Sequence, residues 1–92
     1  MNQKAKSFFV VLNENGLHTR PSTELVKCAA NYTSAVHLSY RDYIVNAKSI
    51  LGILMLAAEC GAKIAIEAIG DNANEAVSAI LMLAKNQFNI NY

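Results

Sequence analysis

Two segments of this chain alternate along their length: Ala35–Tyr40 (AVHLSY) and residues 63–69 (KIAIEAI). In a strand, successive side chains point to opposite faces, so Val36, Leu38 and Tyr40 face one way and Ala35, His37 and Ser39 the other. Such a strand buries one face only, and that constrains the rest of the molecule to cover a sheet from one side. Arg41-Asp42 makes a tight turn into Tyr43–Asn46, so the two runs form a hairpin and the sheet is antiparallel. Residues 7–12 (SFFVVL) are β-branched and aromatic and add another strand.

Helical spacing fills the gaps. After a turn at residues 13–16, Leu25, Cys28 and Ala29 mark a helix over residues 21–30, with Asn31 as a left-handed stop. Residues 49–56 fit helix or strand by pattern; Lys48-Ser49 before ILGILML has the form of a short helix with Ser49 as its cap, which Gly52 weakens by about 1 kcal/mol relative to alanine. Gly61 closes that segment. Asn72 with Glu75 has the form of a cap and acid at a third helix start, over residues 73–86. Its apolar stripe is Val77, Ile80, Leu81, Ala84 and Phe88. The order is β-α-β-β-α-β-α, an α+β fold with all helices on one face of an antiparallel sheet. The pattern alone fits equally a ferredoxin-like sheet with an extra helix.

The length of 92 residues suits one domain (1–92), and 53% hydrophobic residues can fill a core without disulfide or metal staples. The stretch NQFNINY reads as a polar C-terminal tail, from about residue 89. A net charge of +1 with no basic run argues against a nucleic-acid binder. The longest apolar run, residues 50–58, is too short to span a membrane, and residues 1–12 lack the long apolar region and cleavage site of a signal peptide. A soluble, cytoplasmic protein is expected. Cys28 and Cys60 have no histidines at metal spacing, so no metal site is expected, and both read as buried thiols in a reducing compartment.

One stretch carries chemistry: NGLHTRPST, residues 15–23. Arg20 precedes a proline and is biased away from helical angles, whereas Pro21 fits a first helical turn. His18 therefore lies at or just before a helix start. First-turn backbone N–H groups lack helical partners, and the macrodipole adds positive potential, so the place favours an anion. An imidazole nitrogen is a nucleophile, and the anion it meets can be a phosphoryl group, which Arg20 is suited to hold in bidentate fashion. Gly16 lets the backbone turn sharply and leaves room for a partner. By spacing alone, His18 is equally a polar loop residue and Arg20 a solvated charge.

Ser49 can be a plain cap or a phosphorylation site, since a phosphate there also meets a positive helix end. His37 faces solvent on its strand. The run Ile50 to Leu56 holds more apolar residues than a short helix can bury, and Ile50, Leu51 and Leu54 are the candidates for an exposed partner surface.

NGLHTRPST followed by VNAKSILGILML resembles the HPr family, the histidine-containing phosphocarriers of the bacterial phosphoenolpyruvate-dependent phosphotransferase system. The resemblance runs from about Ala5 to Phe88. It implies an open-faced β-sandwich, a four-stranded antiparallel sheet with three helices on one side. It implies that His18 is phosphorylated on Nδ1 by enzyme I and passes the group to enzyme IIA domains. Arg20 matches the arginine that attends the phosphoryl group, and Asn15 a residue beside the active centre. Ser49 matches the serine phosphorylated by the HPr kinase/phosphorylase, which slows transfer. Thr19, Arg20, Ile50, Leu51 and Leu54 match the partner-docking surface.

Two departures stand out. Ser22 replaces a common alanine, where a small polar residue should be tolerated. Ile69 replaces a polar residue and is expected to enlarge an exposed surface. The resemblance implies a monomeric carrier, not a turnover enzyme, that needs no cofactor; magnesium would serve enzyme I or the kinase. The alternative within the fold is a regulatory module, of nitrogen-related or kinase-controlled type, whose state is read by a kinase or a transcription regulator. A hydrolase using His18 as base lacks a nucleophile and an orienting carboxylate beside it in sequence.

Overall fold

The computed structural model describes residues 3–90. Its elements are β1 (Gln3–Val10), α1 (Thr19–Ala29), β2 (Ala35–Tyr40), β3 (Tyr43–Asn46), α2 (Ile50–Met55), β4 (Lys63–Gly70) and α3 (Ala73–Lys85), followed by a C-terminal turn (Gln87–Asn89). The strands form one sheet in the order β1-β4-β2-β3, and each adjacent pair is antiparallel. The β2–β3 hairpin turns at Arg41, which takes the left-handed region that the absence of glycine had left open.

Alternation decides the layers. Phe9, Val36, Leu38, Ile64, Ile66 and Ala68 are buried on one face, where Leu25, Ile53, Val77 and Ile80 of the helices meet them. The opposite face carries Phe8, Val10, Ile44 and Ile69 exposed, and Lys6 reaches across it to Glu67 at 3.3 Å. The exposure expected of Ile69 and of His37 is met. No helix among the described residues is long and apolar enough to cross a membrane.

Several local expectations fail for identifiable reasons. Asn31 is not left-handed: α1 ends through Tyr32 N–H donating to the Ala29 carbonyl, with Ala30 still helical. Asn72 stands at the start of α3 but makes no cap there, because its Oδ1 accepts from Ser34 N–H at 3.1 Å and from the Ser34 hydroxyl at 2.6 Å. It ties the start of β2 to α3 instead. Cys60 is exposed rather than buried, and Cys28 is only half-buried, where burial still pushes its thiol above the ordinary value.

The C-terminal segment is the largest departure. Phe88 is fully buried, as its place on the apolar stripe implies, but outside α3, and Ile90 is nearly buried too; residues 91–92 of the expected polar tail lie outside the described residues. Gln87, Phe88 and Asn89 are all left-handed, with φ of 55, 56 and 61°. Three successive L-residues in that region, none of them glycine, cost roughly 1–2 kcal/mol each. Phe88 offsets this by packing edge-on against Phe9, with ring centroids 5.7 Å apart. Asn13 adds a bond, its Nδ2 donating to the Gln87 carbonyl at 2.8 Å.

Candidate functional site

The loop between β1 and α1 is fixed before it reaches the histidine. Gly16 has φ of +72°, and a Cβ there would collide with the Ala58 carbonyl. The room that glycine provides is therefore filled by the chain's own loop after α2, and not by a partner. Gly16 N–H donates to the Asn13 carbonyl at 3.0 Å and Leu17 N–H to the Ala58 carbonyl at 2.9 Å. Ser22 is fully buried and its hydroxyl donates to the Leu17 carbonyl at 3.1 Å, so the departure from alanine adds an anchor.

His18 then stands at the N-cap of α1 in an extended conformation, with its side chain exposed and making no cap bond. The usual capping acceptor is thus missing, and the positive end of the helix faces outward. Pro21 sits third in the helix and contributes no N–H. Thr19 Oγ1 lies 3.3 Å from His18 Nδ1, on the nitrogen that the resemblance singles out. Helix α1 begins at Thr19, two residues before the expected start, so Arg20 is helical despite the proline that follows.

Two grooves flank the histidine. The first, about 610 Å³, is lined by His18 and Asn15 with Glu14, Leu54, Glu59 and Cys60. The second, about 330 Å³, is lined by Thr19, Arg20, Thr23 and Glu24 with Asn89 and Ile90 of the C-terminal segment. His18, Asn15 and Leu54 are thus brought together, and Thr19 and Arg20 open onto the other side of the helix start. On α2, Ile50 and Leu51 are exposed while Leu54 is half-buried in its groove wall. Met55, 58% exposed, belongs to that apolar surface and was missed.

Ser49 caps α2, its Oγ accepting from Gly52 N–H at 3.1 Å. The turn before it is set by Lys48 N–H donating to Asn46 Oδ1 at 2.8 Å. Gly52 is explained by its neighbour: a Cβ there would press on Val45 at 3.3 Å. No group of three His, Cys, Asp or Glu side chains among the described residues could hold a metal ion.

Sequence reading also missed Glu14, Glu59 and Cys60. They meet only because β1 and β4 pair and bring the loops at their ends together. Asn13, Asn89 and Ile90 were likewise missed.

The molecule is thus a small open-faced sandwich that presents an exposed histidine at an uncapped helix start. The family model for the PTS HPr component phosphorylation site matches residues 5–86, and the chain belongs to that family, the phosphocarriers of the phosphotransferase system. The chain is 41% identical to phosphocarrier protein HPr of Cupriavidus necator over 78 residues, which are 85% of this chain and 88% of that one. It is similar to HPr-C-His from Thermoanaerobacter tengcongensis, with a TM-score of 0.90 at 31% identity, covering 96% of this chain and 99% of that chain. It is also similar to a phosphocarrier protein HPr from Bacillus anthracis, with a TM-score of 0.81 at 33% identity, covering 86% and 94%. The expected HPr-like α+β fold holds, and membership implies interaction with other proteins of the phosphotransferase system.

Proposed function

We propose that His18 is the phosphoryl acceptor, taking the group on Nδ1 from enzyme I and handing it to enzyme IIA domains for sugar uptake. The carrying observation is the exposed, uncapped imidazole at the start of α1. As the bond from Nδ1 to phosphorus forms, the bond from phosphorus to the donor breaks. The new dianion meets the open first turn of the helix, and the Thr19 hydroxyl can turn its proton toward a phosphoryl oxygen. Arg20, on the same turn, supplies positive charge. Asn15, Thr19, Ile50, Leu51 and Leu54 form the docking surface for both partners. The protein works as a cytoplasmic monomer in a single domain and needs no cofactor.

Intact mass after incubation with cognate enzyme I and phosphoenolpyruvate tests this reading. One added phosphoryl group that brief acid treatment removes is the expected result. A folded protein that gains no mass from active enzyme I would overturn it.

Ser49 is the regulatory position, modified by a serine kinase/phosphorylase of the HPr type, with a transcription regulator as a further partner of the modified form. A phosphate on its Oγ adds charge beside the apolar surface of α2. Ser49→Asp is expected to accept phosphate from enzyme I about tenfold more slowly, roughly 1.4 kcal/mol of added barrier. Aspartate also caps helices, so the urea midpoint should stay near that of the unmodified chain. An unchanged transfer rate would leave Ser49 as a cap alone.

A further inference from the structure

We propose that the C-terminal turn braces the reactive histidine and that Asn13 is the positioning residue through which it acts. The inference rests on the reading of His18 as phosphoryl acceptor.

Non-glycine residues in the left-handed region persist where their surroundings over-determine them, and they gather at functional sites. Here three occur in succession, at Gln87, Phe88 and Asn89. Burial of Phe88 against Phe9 accounts for holding the turn on the core. It does not account for Asn13, which is only 1% exposed and has a buried Oδ1 with no hydrogen-bond partner among the described residues. An apolar side chain would fill that space without an orphaned acceptor. What the amide provides is a link: its Nδ2 joins the loop that leads to His18 to the Gln87 carbonyl, 74 positions away in the chain.

The turn flanks the reactive segment on both sides. On the N-terminal side it holds Asn13, whose carbonyl in turn fixes Gly16 at 3.0 Å. On the C-terminal side Asn89 and Ile90 face Thr19 and Arg20 across a shared groove. Among the described residues, the hydrogen-bond contact of the His18 ring is the one with the Thr19 hydroxyl, at 3.3 Å. The aim of Nδ1 therefore depends on the path of the backbone on either side, and small errors of aim are costly in a group transfer. The effect belongs to the transfer step and not to docking, because Asn13 is buried where no partner can touch it.

The test compares Asn13→Ala with the unmodified chain in phosphoryl transfer from enzyme I. The expected result is a fall in kcat of about tenfold with KM within about twofold, since misorientation without lost contacts acts on the transition state. A fall in stability alone would not move the two constants apart in this way. Because the variant can lose its fold, the unmodified protein is also followed by NMR during phosphorylation. The Asn13 side-chain amide resonances should shift as the phosphoryl group arrives. Unchanged kcat in a folded variant, a change in KM alone, or Asn13 resonances that stay in place would each overturn the brace. If the unmodified chain takes up no phosphoryl group at all, the assignment of His18 fails instead.

Discussion

His18→Ala should leave no detectable acid-labile phosphate on the protein after incubation with enzyme I and phosphoenolpyruvate, a loss of at least about a thousandfold in labelling rate. The reasoning is that an alanine at this position offers no nitrogen for phosphorus, and the second histidine, His37, is on the open face of the sheet. The same substitution should scarcely change the urea unfolding midpoint. An exposed side chain that caps nothing contributes little, and surface changes of this kind usually fall within ±0.5 kcal/mol. Persistent acid-labile labelling in the folded variant would sink the assignment. Loss of labelling together with loss of the fold would also count against it, because the geometry gives His18 no structural part.

Phe88→Ala should have the largest effect on stability, about 3–5 kcal/mol by urea or thermal unfolding, as for other buried phenylalanines. Phe88 is fully buried, and its ring meets the edge of Phe9 from β1. Without it, the strain of three successive left-handed residues loses its largest apolar offset, and the turn should release from the core. The release would also undo the bond from Asn13 to the Gln87 carbonyl. A loss below about 1 kcal/mol would mean that the segment is held by something other than this ring.

The layers of the fold were legible because the period of a strand is short and local. Val36 and Leu38 declare a buried face within a few residues, and Ala35, His37 and Ser39 declare the open one. The hairpin and the Ser49 cap follow from equally local chemistry. Where a side chain had a distant competitor, local reading failed. Asn72 has the sequence of a cap, but Ser34 takes its oxygen. Phe88 continues the stripe of α3 by spacing, yet it stands in a left-handed turn because Phe9 and Asn13, far back in the chain, reward that path.

The candidate site divides in the same way. His18, Arg20 and Pro21 are adjacent in sequence, and their position at a helix start follows from proline chemistry and backbone geometry. The groove beside them does not. Glu14 and Cys60 share it only after β1 and β4 have paired, and no signal near either residue points to the other. The left-handed φ of Ala57, at the bend where α2 gives way to that groove, was equally invisible, since alanine is an unfavoured choice for it.

The strand order has a consequence for how the molecule is made. β1 pairs with β4 from Gln3↔Gly70 to Val10↔Lys63, so partners in the sheet lie more than fifty residues apart. Pairings of such separation close large loops and are slow to form. A chain leaving the ribosome exposes the unpaired backbone edge of β1 until β4 has emerged. The loop that bears His18 cannot be set until Ala58 is present, and its last tie waits for Gln87. Reactivity would therefore be acquired only after residue 87 has been made and has docked on the core.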